Sequence, residues 1–302
     1  MLKSKNRVNF TKNPNLLIVL TAILTILFLL SFTKSCSSSD KREKVKTALV
    51  NQKYKDSINK FELSDSSATI ELTKHDNFWT INSIPASSER IEKFINELIT
   101  IRNLYKISDK ISANSSYGLT NGTEFHLRYF TNEGFHELVF GNQDYALTSR
   151  YMMSEKSTQV YEIDDSLDIY LTTSIQSWAE PYLISREIFN SIDIQNISVI
   201  YQDSNGQTKK GLISDSQKLL GLRHGEIPSE SEFILSEIQN PLIELQIENG
   251  DKSQIIVKIF QADNQSNSFI VKSDYYKASS RIFTGYSKIS SWTYNKINEM
   301  IL

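Results

Sequence analysis

The sequence predicts an α+β protein: an N-terminal transmembrane helix followed by two related lobes of mainly antiparallel sheet with covering helices, an internal duplication. Three observations carry this expectation. Leu16–Phe32, LLIVLTAILTILFLLSF, runs seventeen residues without a charge. From Ile58 onward apolar residues recur with period two in short runs, broken by one stretch of helical period. Four strand-like segments and a closing helix then recur at offsets of 118 to about 121 residues.

At 1.5 Å per residue the apolar run spans about 26 Å, near the thickness of a bilayer's hydrocarbon core. Lys3, Lys5, Arg7 and Lys12 precede it with no acidic residue, which places the amino terminus in the cytoplasm and the remainder of the chain outside. The expected arrangement is a basic tail at 1–15, an anchor at 16–32, a polar stalk at 33–57, a first lobe at 58–185 and a second at 186–302. Two rival readings of the N-terminal segment stay open. Ser35-Cys36-Ser37 offers a small-x-small cleavage site. Cys36, the only cysteine, is the residue a lipoprotein would acylate, although Lys34 fits that pattern badly. All three readings put the lobes on the same side of the membrane.

In the first lobe, Phe61 and Leu63, Ile70 and Leu72, and Phe78–Ile81 alternate as short strands separated by turn residues. Pro85 closes that run, and Ser87 or Ser88 caps a helix expected to reach Asn103. Ile91, Phe94, Ile95, Leu98 and Ile101 share one face of it, so Trp79 belongs to the core beneath. A loop holding Tyr117, Gly118 and Leu119 follows. Glu124–Thr131 and Phe135–Phe140 form a hairpin about Asn132-Glu133-Gly134, with Gly141 at its end. Ser149–Ser154, Gln159–Ile163 and a helix from Asp164 to Trp178 complete the lobe. In the second lobe Ile194–Tyr201 and Thr208–Ser214 make a hairpin over Ser204-Asn205-Gly206. Lys218–Leu222 and Ser231–Gln239 are helical candidates. Leu242–Asn249, Gln254–Phe260, Ser268–Ser273 and Arg281–Thr284 repeat the strands of the first lobe, and Lys288–Leu302 repeats its closing helix.

Composition narrows the function classes. Once the tail's four basic residues are set apart, 29 remain against 35 acidic ones, the opposite of a nucleic-acid binder. One cysteine allows neither an intramolecular disulfide nor a cysteine-built zinc site. The near-motifs also fail on chemistry. His136-Glu137 opens like a zinc-protease motif, but Phe140 stands where the second histidine belongs. Gly118–Gly122 has the spacing of a nucleophile elbow with Thr120 at its centre, yet a strand rather than a helix follows. Gly206–Gly211 has phosphate-loop spacing, but Leu212-Ile213 replaces the Lys-Ser/Thr pair. Asp164, Asp165 and Asp168 with Glu162 read as a helix cap rather than a calcium loop. His75, His126, His136 and His224 are scattered, and His224, beside Gly225, is the one to test first. The reading has no catalytic residue, no metal ligand and no cofactor; Trp79, Tyr117, Gly118 and Gly141 are its structural markers.

Those markers also carry a resemblance. Phe78-Trp79-Thr80-Ile81 before the capped helix, Tyr117-Gly118-Leu119, Leu138-Val139-Phe140-Gly141, and Arg150-Tyr151 leading to Val160-Tyr161 resemble a family of bacterial envelope proteins, domain of unknown function 4340. The likeness covers Ile58 to Trp178 well and the second lobe loosely. It implies a single-anchor companion of an ABC transporter of the gliding-motility type, set beside a permease, an ATPase and a larger auxiliary protein. The expected function is therefore that of a cytoplasmic-membrane accessory or scaffold protein, its bulk extracytoplasmic, binding membrane-protein partners and no nucleic acid. The alternative is an extracytoplasmic module for a peptide, glycan or lipid, with an envelope enzyme as the further one.

Overall fold

The computed structural model describes residues 42–302 except 77, 83, 110–115, 121, 155–156, 186, 189–196, 203–204, 230–231, 233, 235–239, 250–251 and 263–266, together with 18–19, 21–26 and 28. Met1–Lys44 and Val45–Leu302 are two separate units. In the first, the described residues of 18–28 are helical and exposed, with Thr21 and Thr25 hydroxyls bonded back to the carbonyls of Ile18 and Thr21.

Two sheets dominate the chain. The ten-stranded sheet comprises β1 (Lys44–Thr47), β2 (Lys60–Ser64), β3 (Thr69–Lys74), β4 (Trp79–Ile81), β5 (Ile84–Ala86), β6 (Arg102–Ser108), β7 (Phe125–Thr131), β8 (Gly134–Gln143), β9 (Ser149–Ser154) and β10 (Val160–Asp164). Their spatial order is β1-β6-β10-β9-β8-β7-β2-β3-β4-β5. The six-stranded sheet comprises β11 (Ile197–Gln202), β12 (Thr208–Leu212), β13 (Ile243–Glu248), β14 (Ser253–Gln261), β15 (Ser268–Lys277) and β16 (Ser280–Ser290), ordered β12-β11-β13-β14-β15-β16. Pairing is antiparallel throughout β2–β10 and β11–β16. Each sheet contains a four-strand meander, β7 to β10 in one and β13 to β16 in the other.

Alternation decides which side of each strand is buried. Phe125, Leu127, Tyr129 and Thr131 of β7 point inward while their neighbours do not, and Ile243, Leu245 and Ile247 repeat the pattern in β13. Helix α1 (Ser88–Ile99) covers the first sheet with Ile91, Phe94, Ile95 and Leu98, at the i, i+3, i+4, i+7 spacing of a single face. Phe94 lies 5.2 Å from Phe61 and 5.4 Å from Trp178, ring centre to ring centre. Burying each such side chain contributes about 1.5–3 kcal/mol. A 3-10 turn at Asp165–Tyr170 and the short α2 (Ile175–Trp178) close this core. The second core gathers Val199, Leu245, Val257, Ile259 and Val271 with Leu219 and Leu220 of α3 (Ser216–Leu220) and Ile297 of α4 (Ser291–Asn298).

Several expectations are corrected. The fold is mostly antiparallel sheet rather than an α+β pair of helix-covered lobes, because α1 is the one described helix of twelve residues, and the lobes are unequal sheets of ten and six strands. The N-terminal transmembrane helix is not found: among the described residues no helix is long and apolar enough to cross a membrane. Cys36, the remainder of Leu16–Phe32 and most of Ser231–Gln239 lie outside the described residues. The stalk expected at 33–57 includes β1, and Val50 is wholly buried, held by hydrogen bonds from the amides of Leu49 and Val50 to the Leu98 carbonyl. The helix expected to reach Asn103 stops at Ile99. Thr100 turns extended, and the Arg102 guanidinium bonds to the Glu97 carbonyl at the helix end.

Candidate functional site

The two sheets of Val45–Leu302 meet at a seam, and its chemistry starts from Pro85. Strand β5 is only three residues long, and its outer edge is taken up by the segment after α2. The Glu180 amide donates to the Pro85 carbonyl (2.9 Å), and Ser87 donates to the Trp178 carbonyl (2.8 Å). Gly285 of β16 backs onto the Pro85 ring, where a β-carbon would stand 3.1 Å from Cδ. Phe78 reaches across to an edge-on contact with Phe283, 5.7 Å between ring centres. Farther along β16, Gly225 donates to the Lys288 carbonyl and Lys288 donates to that of Glu226. The inner edges of both sheets are thereby occupied.

His224 and Tyr275 sit within this seam. The Tyr275 hydroxyl is fully buried and accepts a hydrogen bond from the Ser185 amide (2.9 Å); burial pushes its pKa well up. His224 Nε2 donates to the Glu180 carbonyl, which leaves Nδ1 as the bare nitrogen, buried and without a partner among the described residues. Burial lowers the His224 pKa despite that bond. The space left between His224, Glu180, Tyr275 and Ser287 is about 20 Å³. That admits a single water and falls far below the roughly 300 Å³ at which ligand sites begin. The seam is a joint between sheets.

The sequence-marked residues fall elsewhere. Trp79 is 4% exposed and stacks on Phe61. Tyr117, Gly118 and Gly141 come together on the opposite face of the first sheet. Asn142 donates its amide to the Tyr117 carbonyl (2.7 Å), and Leu119 closes over Val139 and Val160. The four histidines remain apart. His75 stacks on Phe78, His136 on Tyr129, and His126 bonds through Nδ1 to Glu137 (3.0 Å) beside the Arg128–Glu62 pair. The acidic group divides. Asp164 caps the 3-10 turn and pairs with Arg102 (3.1 Å), while Asp168 pairs with Arg150 (2.7 Å). No group of three potential metal ligands occurs among the described residues.

A feature that residue motifs did not single out is the outer edge of β12. The Ile213 amide donates to Ile197, so along the ladder Val199–Gly211 and Tyr201–Lys209 are the hydrogen-bonded pairs. The amides and carbonyls of Lys210 and Thr208 therefore point away from the sheet. The Leu212 carbonyl, which points the same way, accepts from Leu302 (3.0 Å). Thr208, Lys209 and Lys210 are exposed.

These features define a two-sheet antiparallel protein whose sheets join at the seam and whose second sheet, among the described residues, leaves Thr208 and Lys210 unpaired on its outer edge. The chain belongs to the family described as Domain of unknown function (DUF4340), whose model matches residues 79–246, from β4 through the seam into β13. No curated protein and no solved structure matches it.

Proposed function

We propose that this protein is an extracytoplasmic accessory protein of the bacterial envelope that works by binding partner proteins, and that its partners are subunits of an ABC transporter of the gliding-motility type. The transporter class and the site at the cytoplasmic membrane rest on the resemblance of the Trp79–Tyr161 motifs. The binding mode rests on one observation, the stretch of the β12 edge at Thr208 and Lys210 that no described residue pairs. An extended segment can add there as a seventh strand, using the outward backbone groups of Thr208 and Lys210. The exposed Lys210 favours a segment carrying acidic side chains, and a lysine there also discourages self-pairing of the edge. The 20 Å³ seam argues against a ligand held between the sheets.

Lys210→Pro tests the reading. It removes an outward amide and leaves the ladder bonds to β11 in place. Co-purification of the permease or ATPase with the chain should be lost while its melting temperature holds. Retention of both subunits by the variant would refute edge docking. Protection of Val45–Leu302 from protease added outside spheroplasts would refute the extracytoplasmic placement.

A further inference from the structure

A cleft on the helix-covered side of the first sheet is unrelated to the β12 edge. Lys74 at the end of β3 pairs across the ladder with Trp79 at the start of β4, so both side chains stand on the face that α1 covers. Ser88, Glu92, Ile95 and Asn96, spaced i, i+4, i+7 and i+8, form one stripe of that helix. Between the stripe, the β3–β4 turn and the turn at Lys55-Asp56 lies an open cleft of about 440 Å³. This is within the size range of ligand sites.

The lining divides into an apolar floor and a polar rim. Phe78, Trp79 and Ile95, each at most 9% exposed, make the floor. On the rim Lys55 and Lys74 stand with Asp56, Asp76 and Glu92, all of them exposed. None of these five is in an ion pair among the described residues, and the Lys74 amine has the Trp79 ring as its neighbour, 5.9 Å from the ring centre. The Ser88 hydroxyl is shielded from solvent and has no hydrogen-bond partner among the described residues. Both turns are pinned by main-chain bonds. The Ser57 and Ile58 amides donate to the Tyr54 carbonyl (3.0 and 3.1 Å), and the His75 amide donates to the Phe78 carbonyl (2.8 Å). The rim is therefore largely set before anything binds, which lowers the ordering cost.

We propose that this cleft binds a neutral saccharide, a short chain of hexose rings. A pyranose ring has apolar C–H faces and a rim of hydroxyls, each of which can donate and accept. One face lies on the floor at Phe78 and Trp79. The hydroxyls donate to the carboxylates of Asp56, Asp76 and Glu92 and accept from the amines of Lys55 and Lys74, bonds strengthened by the charge on the protein side. The Ser88 hydroxyl gains the partner it lacks. Three carboxylates against two amines leave an excess of negative charge, which disfavours an anionic ligand. A peptide docking by its main chain needs a free strand edge, and β4 is paired on both sides, with β3 and with β5. A hydrocarbon chain would desolvate the rim charges and give them no hydrogen bonds in return.

Titration calorimetry on the full chain tests this with cellotetraose, chitotetraose and tetragalacturonate, the last bearing a carboxylate on every ring. At least one neutral probe should bind about tenfold tighter than tetragalacturonate, a difference of about 1.4 kcal/mol. Its affinity should hold as salt rises, because the ligand carries no charge to screen. Asp76→Asn with Glu92→Gln should weaken it about tenfold, and Lys74→Met, which keeps the stem and removes the donor, should weaken it as well. These side chains are exposed, and an unchanged melting temperature checks that the variants fold. Failure of both neutral probes to bind, or binding that both variants leave untouched, would overturn the proposal. So would tetragalacturonate binding more tightly than either neutral probe and being lost in Lys74→Met, because the cleft would then be an anion site.

Discussion

Gly141→Ala is the substitution with the most to say about how the first sheet is covered. A β-carbon at Gly141 would lie 1.9 Å from the Tyr117 carbonyl oxygen and 3.0 Å from the Gly118 backbone. Both neighbours are main chain, so no side chain can swing aside; the loop itself must lift. Lifting it breaks the hydrogen bond from Asn142 to the Tyr117 carbonyl, worth about 1 kcal/mol. It also separates the edge-on pair Tyr117–Tyr151, worth about 0.5–1.5 kcal/mol, and uncovers Leu119, worth about 1.5–3 kcal/mol. The expected loss is about 3–5 kcal/mol in urea unfolding followed by tryptophan fluorescence, at unchanged slope. Gly122→Ala is the control. Its φ of +74° is left-handed, unlike that of Gly141, but nothing stands within 4 Å of the added carbon, so only backbone strain of about 1–2 kcal/mol applies. Gly118→Ala falls between them, because its added carbon meets the Asn142 side chain, and Asn142→Ala should restore part of the loss. If Gly141→Ala costs no more than Gly122→Ala, the loop does not rest on the strand and this account of the second face is wrong.

Trp79→Ala should destabilise the chain by about 3–5 kcal/mol, since the ring is buried against Phe61; a melting temperature equal to wild type would show it to be dispensable to the core. His224 sets a pH dependence. Its folded pKa lies below the ordinary 6.5, so the neutral form folds and the unfolded chain takes up the proton first. Its contribution is fully present above that value and is lost as pH falls below it, and His224→Gln should flatten the melting temperature between pH 7.5 and 5. A variant that keeps the full slope would assign it to other groups. Lys209→Pro, unlike Lys210→Pro, removes an amide that bonds to β11, and it should lower the melting temperature; equal effects of the two would overturn the ladder parity read for the β12 edge.

What could be read in the sequence was what periodicity encodes. The strands from Phe61 to Leu72 and from Phe125 to Thr131 alternate cleanly, and α1 was legible from its cap at Ser87 and its apolar stripe, although not its end. Strand β6 was missed because Arg102 occupies an inward position that an apolar residue would normally fill, its charge met by Asp164 and Glu97. The seam could not be read because its contacts join residues such as Pro85 and Gly285, far apart in sequence and of no distinctive type. The β12 edge was invisible for a related reason, since it depends on which strand is last in the sheet.

The hairpin between β15 and β16 shows the same limit and leads to a test. Tyr275 to Lys277 pair with Phe283 to Ser280 across a two-residue turn, Ala278-Ser279, with φ of +48° and +68°. Two positive angles in succession are the mirror-image turn that suits the twist of a tight hairpin, and Asn-Gly is its ordinary sequence. Ala and Ser carry no such signal, so the longest hairpin in the second sheet has no turn motif at its tip. The register is held instead by the strands, where Thr284 bonds to Asp274 (2.6 Å) and the Tyr275 ring is buried. The strain of two left-handed residues, about 1–2 kcal/mol each, is then relieved by Ala278→Asn with Ser279→Gly. Part of that relief, about 0.4–1 kcal/mol, is returned through the greater freedom of glycine in the unfolded chain. The double variant should therefore be more stable by about 1 kcal/mol, raising the melting temperature by roughly 2–4 °C for a unit of this size. A melting temperature at or below that of the wild type would mean that the turn does not hold this geometry in solution, and that the bulge between Tyr275 and Tyr276, rather than the tip, sets the register of the pair.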